Sequence, residues 1–180
     1  MSEPDDVDDG SRLCLACGLC CNGAVFAYVP LDQPGEDARL RTRLPVIQEK
    51  DDPHPNFLLP CPAHGGASGC TLYGDRPDAC SAYACKQLKA VRAGQRPLAE
   101  ALAAVTEVKA LFDRVDAELP PGGWIWHRAR ALRDAAAPAA MDERRRRSAL
   151  LLDLKLLELR IDRDIEAREV PSAEVSGPTA

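Results

Sequence analysis

Apolar residues recur at helical spacing through the second half of the chain. From Leu98 they stand three or four positions apart as far as Leu119, where the pair Pro120 and Pro121 ends the pattern. Such spacing places apolar side chains on one face of a helix, and Pro97 suits a first-turn position, so we predict a helix over 97–119. The stripe consists of Leu98, Leu102, Val105, Val108, Phe112, Val115 and Leu119.

Two further helices follow from the same reasoning. One is predicted over 124–136, before Pro138, and the other over 140–168. The apolar stripe of the last helix is formed by Leu150, Leu154, Leu157, Ile161 and Ile165. Because the connections are short, the three helices are expected to form one helical lobe over residues 95–170.

The first half of the chain has a different texture. Residues 12–90 contain all eight cysteines with frequent proline and glycine, and they lack sustained periodicity. A short strand is predicted over 25–29, and a weak helix or extended segment over 39–50, broken at Pro45. The predicted fold is therefore mostly α with an irregular metal-stapled part: a loop-rich cysteine-cluster module followed by a three-helix lobe. The polar tails 1–11 and 171–180 are predicted to be disordered.

Charge and hydropathy narrow the class of protein. The formal net charge is -5, and five acids in the first ten residues account for most of the excess, so no basic surface for nucleic acid is indicated. Neither a secretory signal nor a membrane-spanning segment is recognised. We therefore expect a cytoplasmic protein. In that reducing compartment cysteines are more often metal ligands than disulfide partners.

The cysteines fall into two groups. The first reads C-x-x-C-G-x-C-C, a turn in which two sulfurs can reach one ion while backbone N–H groups point at them. The second group is spread along the chain. All eight are predicted metal ligands, for zinc or alternatively for iron or an iron–sulfur cluster. They are Cys14, Cys17, Cys20, Cys21, Cys61, Cys70, Cys80 and Cys85.

Spacing indicates that these cysteines are not equivalent. Cys20 and Cys21 are adjacent, so their side chains diverge and are expected to serve different roles. Cys80 and Cys85 cannot share one face of a regular helix, so a short helix that ends between them is predicted. Because several thiolates on one divalent ion leave negative charge, Arg76 is predicted to lie nearby as compensation, with Lys86 the weaker candidate.

Other polar residues have a plainer interpretation. His64 lies between two cysteines and could be a ligand, but a single histidine in a glycine-rich loop is more often exposed. His54 has a weaker case still. His127 stands between two tryptophans, which we expect to pack between helices. The arginines at 144–147 point all round the helix axis and are expected to form a solvated helix end.

The cysteine pattern resembles the YkgJ-type cysteine-cluster family. The resemblance rests on C-x-x-C-G-x-C-C at 14–21, Cys61 followed by proline, Cys70, the stretch Leu-Tyr-Gly-Asp-Arg-Pro at 72–77, Cys80 and Cys85. It implies a zinc- or iron-chelating domain in roughly the first half of the chain. Two positions depart from the family, since Ser81 stands where arginine is common and Ala84 where proline is common.

Several functions therefore stay open. The sequence favours a metal-binding protein of undefined biological role, with an iron–sulfur redox protein as the alternative. A similar cysteine cluster occurs in flagellin lysine-N-methylases, but no glycine-rich turn for a nucleotide-like cofactor is present. A thiol-redox enzyme would need a strand–helix context that is absent. The expected partner is a metal ion, without membrane or nucleic acid, and a protein partner on the helical lobe is left open.

Overall fold

A computed structural model describes residues 8–50 and 52–166, without the side chain of Ala67. Within these residues the protein is mostly helical, as predicted. Seven α-helices run in chain order: α1 Asp9–Cys17, α2 Glu36–Leu40, α3 Asp78–Ala82, α4 Lys86–Arg92, α5 Leu98–Glu118, α6 Ile125–Asp134 and α7 Met141–Arg160. A π-helical turn, Ile161–Ile165, continues α7, and short 3₁₀ turns occur at Gly66–Ser68 and Tyr73–Asp75.

The three predicted helices of the second half are confirmed. Helix α5 begins after Pro97 and ends before Leu119, α6 lies inside the predicted 124–136, and α7 with its π turn extends to Ile165. The predicted end at residue 168 lies outside the described residues. The apolar stripes face inward, because residues three or four positions apart share one face.

One apolar core joins the first helix to the three long ones. Leu13 and Cys17 of α1 pack with α5, α6, α7 and the π turn, in a cluster that includes Val108 and Leu157. Helix α1, before the predicted domain boundary at residues 90–95, therefore packs against α5, which follows that boundary. Unfolding experiments would show whether the two parts fold separately.

The start of α1 corrects one prediction. Residues 9–11 belong to this helix, although the sequence predicts disorder over 1–11. The Asp8 carboxylate accepts hydrogen bonds from the backbone N–H groups of Gly10, at 2.8 Å, and Ser11, at 3.1 Å, which caps the helix. The acidic run thus contains a helix cap. Residues 1–7 of the predicted tail and the whole tail 171–180 lie outside the described residues.

A second, smaller core lies under a two-stranded ribbon. Strands β1 Tyr28–Pro30 and β2 Asn56–Leu58 pair antiparallel, with Val29 opposite Phe57. The predicted strand at 25–29 is thus shifted towards Pro30, and the predicted segment at 39–50 forms turns after the end of α2 at Leu40. Cys61, Cys70 and Cys80 pack against this second core.

The C-terminal end of α6 is covered by an arginine from α7. The Arg147 guanidinium donates hydrogen bonds to the carbonyl oxygens of Leu132 at 2.8 Å and of Ala135 and Ala136 at 2.6 Å. Residues 144–146 are exposed, as expected for a solvated helix end, but Arg147 satisfies carbonyls that lack partners within α6. The expectation of a wholly solvated run is therefore wrong at that position.

Candidate metal centre

Six of the eight cysteines line one cavity of about 270 Å³. The cavity lies between the N-terminal cysteine turn and the second core, and Phe26, Phe57 and Tyr83 contribute to its apolar wall. All eight cysteines are free thiols. The cysteines at the cavity are Cys14, Cys20, Cys21, Cys61, Cys70 and Cys80, whereas Cys17 and Cys85 lie beside the first core.

Helix ends and tight turns place the thiols. Cys17 is the last residue of α1, where Gly18 takes a left-handed conformation with φ 67° and turns the chain towards Cys20 and Cys21. Helix α3 holds Cys80 and ends at Ala82, so a short helix ends between Cys80 and Cys85, as predicted. Cys85 precedes α4.

Backbone N–H groups lie close to three of the sulfurs. The N–H of Leu19 lowers the pKa of Cys17, and those of Ala63 and His64 lower the pKa of Cys61, against the larger, opposite effect of burial. The N–H of Leu88 donates to Sγ of Cys85 at 3.4 Å, so this thiol caps α4. Hydrogen bonds of this kind stabilise a thiolate over a thiol, and thiolates are the metal-binding form of cysteine.

Burial opposes ionisation of the same thiols. It raises the pKa of Cys17, Cys21 and Cys80 to about 12, with repulsion between neighbouring thiolates adding to the effect. The pKa of Cys20 is also raised well above its ordinary value, with burial as the first cause. Without a cation these thiols are therefore protonated at neutral pH.

The thiols form two neighbourhoods that meet at Cys14, whose pKa is raised by burial and then by both Cys85 and Cys70. The neighbouring thiols that raise the pKa of Cys17 are Cys85 and Cys14, whereas for Cys80 they are Cys61 and Cys70, burial being the larger cause in each case. Among the neighbouring thiols, Cys17 raises the pKa of Cys20 the most, and Cys70 raises the pKa of Cys21 the most. This division agrees with the expectation that adjacent Cys20 and Cys21 differ in role.

Arg76 lies at the cavity. Its guanidinium carbon is 4.1 Å from the centre of the Tyr73 ring, and its Nε donates to Oγ of Ser81 at 2.9 Å. Its positive charge lowers the pKa of Cys14 and Cys80 against the larger, opposite effect of burial. Within residues 8–50 and 52–166 no carboxylate pairs with it. Ser81, one of the two departures from the family pattern, thus holds the arginine.

Lys86 is the weaker of the two residues predicted to compensate the negative charge of the thiolates. It does not line the cavity. Its ammonium group donates to the carbonyl oxygens of Asp162 and Arg163 in the π turn. Sequence reasoning does not single out Lys109, on α5. Its charge lowers the pKa of Cys17 and of His64, in both cases as a smaller effect than burial.

Glu36 is a second residue that sequence reasoning missed. Its carboxylate is only 4% exposed, and it accepts a hydrogen bond of 2.6 Å from the N–H of Asp78, the first residue of α3. Nearby, Asp75 pairs with Arg39 and Arg43. Contacts across some forty residues therefore hold the turn that carries Arg76 and Cys80. A buried glutamate at the first position of α2 gives no recognisable signal in the sequence.

The three histidines differ sharply in environment. His54 and His127 are exposed, and Trp124 and Trp126 pack against the first core as expected. His64 is half-buried at the cavity, and its Nε2 is fully buried without a hydrogen-bond partner among the described residues. Burial lowers its pKa, so the ring is neutral. The expectation that His64 is merely exposed is therefore wrong.

The ring of His64 fills the space that a side chain at position 18 would need. A Cβ at Gly18 would lie 2.2 Å from Nε2 of His64, and the positive φ adds strain for any L-residue. We expect Gly18→Ala to lower the free energy of unfolding by at least ~1–2 kcal/mol, as measured by chemical denaturation. Gly74→Ala is the matched control, since a Cβ there meets open space. Equal stability of the two variants would contradict the tight packing of His64 on the turn.

Donor chemistry suits a thiophilic metal, although the donors do not converge on one point. In the part of the chain that the structure describes, no three histidine, cysteine or acidic side chains are spaced to hold one ion. No helix among those residues is long and apolar enough to cross a bilayer. Free thiols and an imidazole nitrogen without a hydrogen-bond partner are nevertheless groups that zinc or iron binds.

Comparison with family models, with curated proteins and with solved structures gives no match in any of the three. The resemblance to the YkgJ-type family therefore remains a prediction from the cysteine pattern. In the part that the structure describes, the chain is a mostly helical protein with a cavity lined by free cysteines.

Proposed function

We propose that the protein binds zinc, with its eight cysteines as thiolate ligands. The observation that carries this proposal is the gathering of six free thiols, from four separate stretches of chain, around one cavity. Bringing so many weakly polar groups together offers little packing advantage over aliphatic side chains. Metal ligation gives these residues a common purpose.

The two neighbourhoods of thiols support two metal sites. One would use Cys14, Cys17, Cys20 and Cys85, and the other Cys21, Cys61, Cys70 and Cys80. Each set supplies four thiolates, the number of ligands in a closed structural zinc site. Arg76, beside Cys14 and Cys80, would offset part of the negative charge. Because the thiols of each set do not converge on a single point, binding is expected to tighten the loops that carry them.

Metal analysis of the whole chain tests this function. We expect protein purified without oxygen to be colourless and to contain about two zinc ions per chain, the number that two closed sites would hold. A brown protein that contains iron and inorganic sulfide would replace zinc by an iron–sulfur cluster. A metal-free protein whose stability does not respond to added zinc or iron would overturn the proposal.

The raised thiol pKa values predict how stability depends on pH without metal. The ordinary pKa of a cysteine is 9.0, and folding raises it to about 12 for Cys17, Cys21 and Cys80. Between these values the folded chain holds protons that the unfolded chain has lost. Raising the pH through that window therefore favours unfolding, whereas below the lower value this contribution is complete.

We accordingly expect the melting temperature of metal-free protein to fall between about pH 9 and about pH 11, as followed by circular dichroism under reducing conditions. The zinc-loaded protein serves as the control. Its thiols would already have released their protons to bind the metal, so its melting temperature should change less over the same range. Parallel decline of the two samples would argue against zinc-bound thiolates.

A further inference from the structure

His64 is fixed in place by its backbone. Its N–H donates to the carbonyl oxygen of Cys61 at 3.0 Å, and the residue forms an antiparallel bridge with Cys70. Thr71 closes the same loop, since its N–H donates to the carbonyl oxygen of Ala63 at 2.9 Å. The backbone of His64 is thus held between the two cysteine-bearing arms of the loop.

The far end of the ring rests on the N-terminal cysteine turn. Nε2 and the adjoining ring carbon Cε1 are the atoms nearest to the position of a Cβ at Gly18, at 2.2 and 2.7 Å. Gly18 separates Cys17 from Cys20, and Cys14 and Cys20 line the same cavity as His64. A nitrogen atom from the loop of the second cysteine group therefore lies against the turn of the first group.

That nitrogen has no partner among the described residues, although it is buried. A buried polar atom without a hydrogen bond destabilises the folded state, so such an atom in a folded protein calls for a specific cause. Filling space is an insufficient one, because leucine would fill it without an unsatisfied nitrogen. Cys14 and Cys20 line the same cavity as this nitrogen, and an imidazole nitrogen beside cysteine thiols is a common metal ligand.

We infer that Nε2 of His64 is a metal ligand beside the thiolates of the Cys14–Cys20 turn, which gives that metal a mixed sulfur and nitrogen shell. The inference rests on the proposed metal-binding function and adds a donor outside the eight cysteines. In this arrangement His64 takes the place of either Cys17 or Cys85, the two cysteines that lie off the cavity. Three cysteines with one histidine are a recurrent tetrahedral zinc set.

X-ray absorption at the zinc edge tests the inference on the full chain loaded with zinc alone. The wild type should show a nitrogen shell at about 2.0–2.1 Å beside the sulfur shell at about 2.3 Å. His64→Leu should lose the nitrogen shell and bind zinc at least roughly tenfold more weakly in competition with a chelator. His54→Leu and His127→Leu are matched controls, because both residues are exposed, and each should keep the wild-type spectrum.

His64→Cys guards against a folding defect in the leucine variant. It should retain zinc with an all-sulfur shell, since a thiolate replaces the imidazole at the same position. An all-sulfur shell in the wild type would overturn the role of His64 and leave metal binding by the cysteines intact. A wild-type chain that takes up no metal would overturn both proposals.

Discussion

Replacing Cys14 by serine is expected to abolish the stabilisation that zinc gives at the site containing Cys14, with little cost to the metal-free fold. Cys14 lines the cavity, yet it is an exposed residue of α1, so the substitution changes almost no packing. Stabilisation by a ligand grows with its concentration relative to Kd and reaches about 4 kcal/mol at a thousandfold excess. A variant that loses the ligand set loses that amount.

Thermal unfolding with and without zinc measures the effect. The wild type should melt at a higher temperature with zinc, and Cys14→Ser should show a smaller increase, because the second proposed site keeps all four of its ligands. Cys17→Ser should behave likewise with zinc but also be less stable without it, because Cys17 is buried in the first core. Ala16→Ser, at an exposed position of the same helix, is the control and should keep the full response. A wild-type response in Cys14→Ser would remove this residue from the ligands.

Truncating Leu157 in the first core is the second change for which a large effect is expected. Leu157 is 0% exposed on α7, whereas Leu152 on the opposite face is 72% exposed. Leu157→Ala should therefore lower the free energy of unfolding by about 2–5 kcal/mol, the range for a leucine that leaves a cavity in a core. Leu152→Ala should change it by less than about 0.5 kcal/mol. Chemical denaturation of the two variants gives both values.

The same experiment tests how far the two halves of the chain fold together. Helix α1 shares the core of Leu157 through its contacts with α5, although its cysteines belong to the N-terminal module. If the halves form one cooperative unit, the Leu157 variant should unfold in one transition. Its zinc-dependent stabilisation should disappear at the denaturant concentration of that same transition. Two separate transitions, with only one shifted by the substitution, would show that the predicted boundary near residue 90 divides two domains.

The long helices are predictable because their signal is repeated many times. In α5 the inward positions recur over five turns, and prolines mark both limits, so a single unusual residue cannot obscure the pattern. Helix α4 has only two turns, and its N-terminal cap is Cys85 instead of serine, threonine or aspartate. Its two buried residues, Gln87 and Leu88, cannot establish a period. The sequence therefore does not predict it.

The candidate site is predictable in its cysteines but not in their surroundings. Thiol spacing is local, and it correctly indicates a helix limit between Cys80 and Cys85. The burial of His64 depends instead on a contact with Gly18, 46 positions earlier in the numbering, and the role of Glu36 depends on the N–H of Asp78. Such contacts arise from the packing of distant segments, which a single sequence does not reveal.

Two indole groups join the helical part to the turn that carries the cysteines. Trp124 donates from Nε1 to the carbonyl oxygen of Gly23 at 2.8 Å, and Trp126 donates to that of Ala24 at 2.9 Å. They are the only tryptophans of the chain, and both are anchored within four residues of Cys20 and Cys21. Intrinsic fluorescence would therefore serve as an unlabelled optical reporter of this turn, and we expect the emission to change as zinc is titrated into the protein.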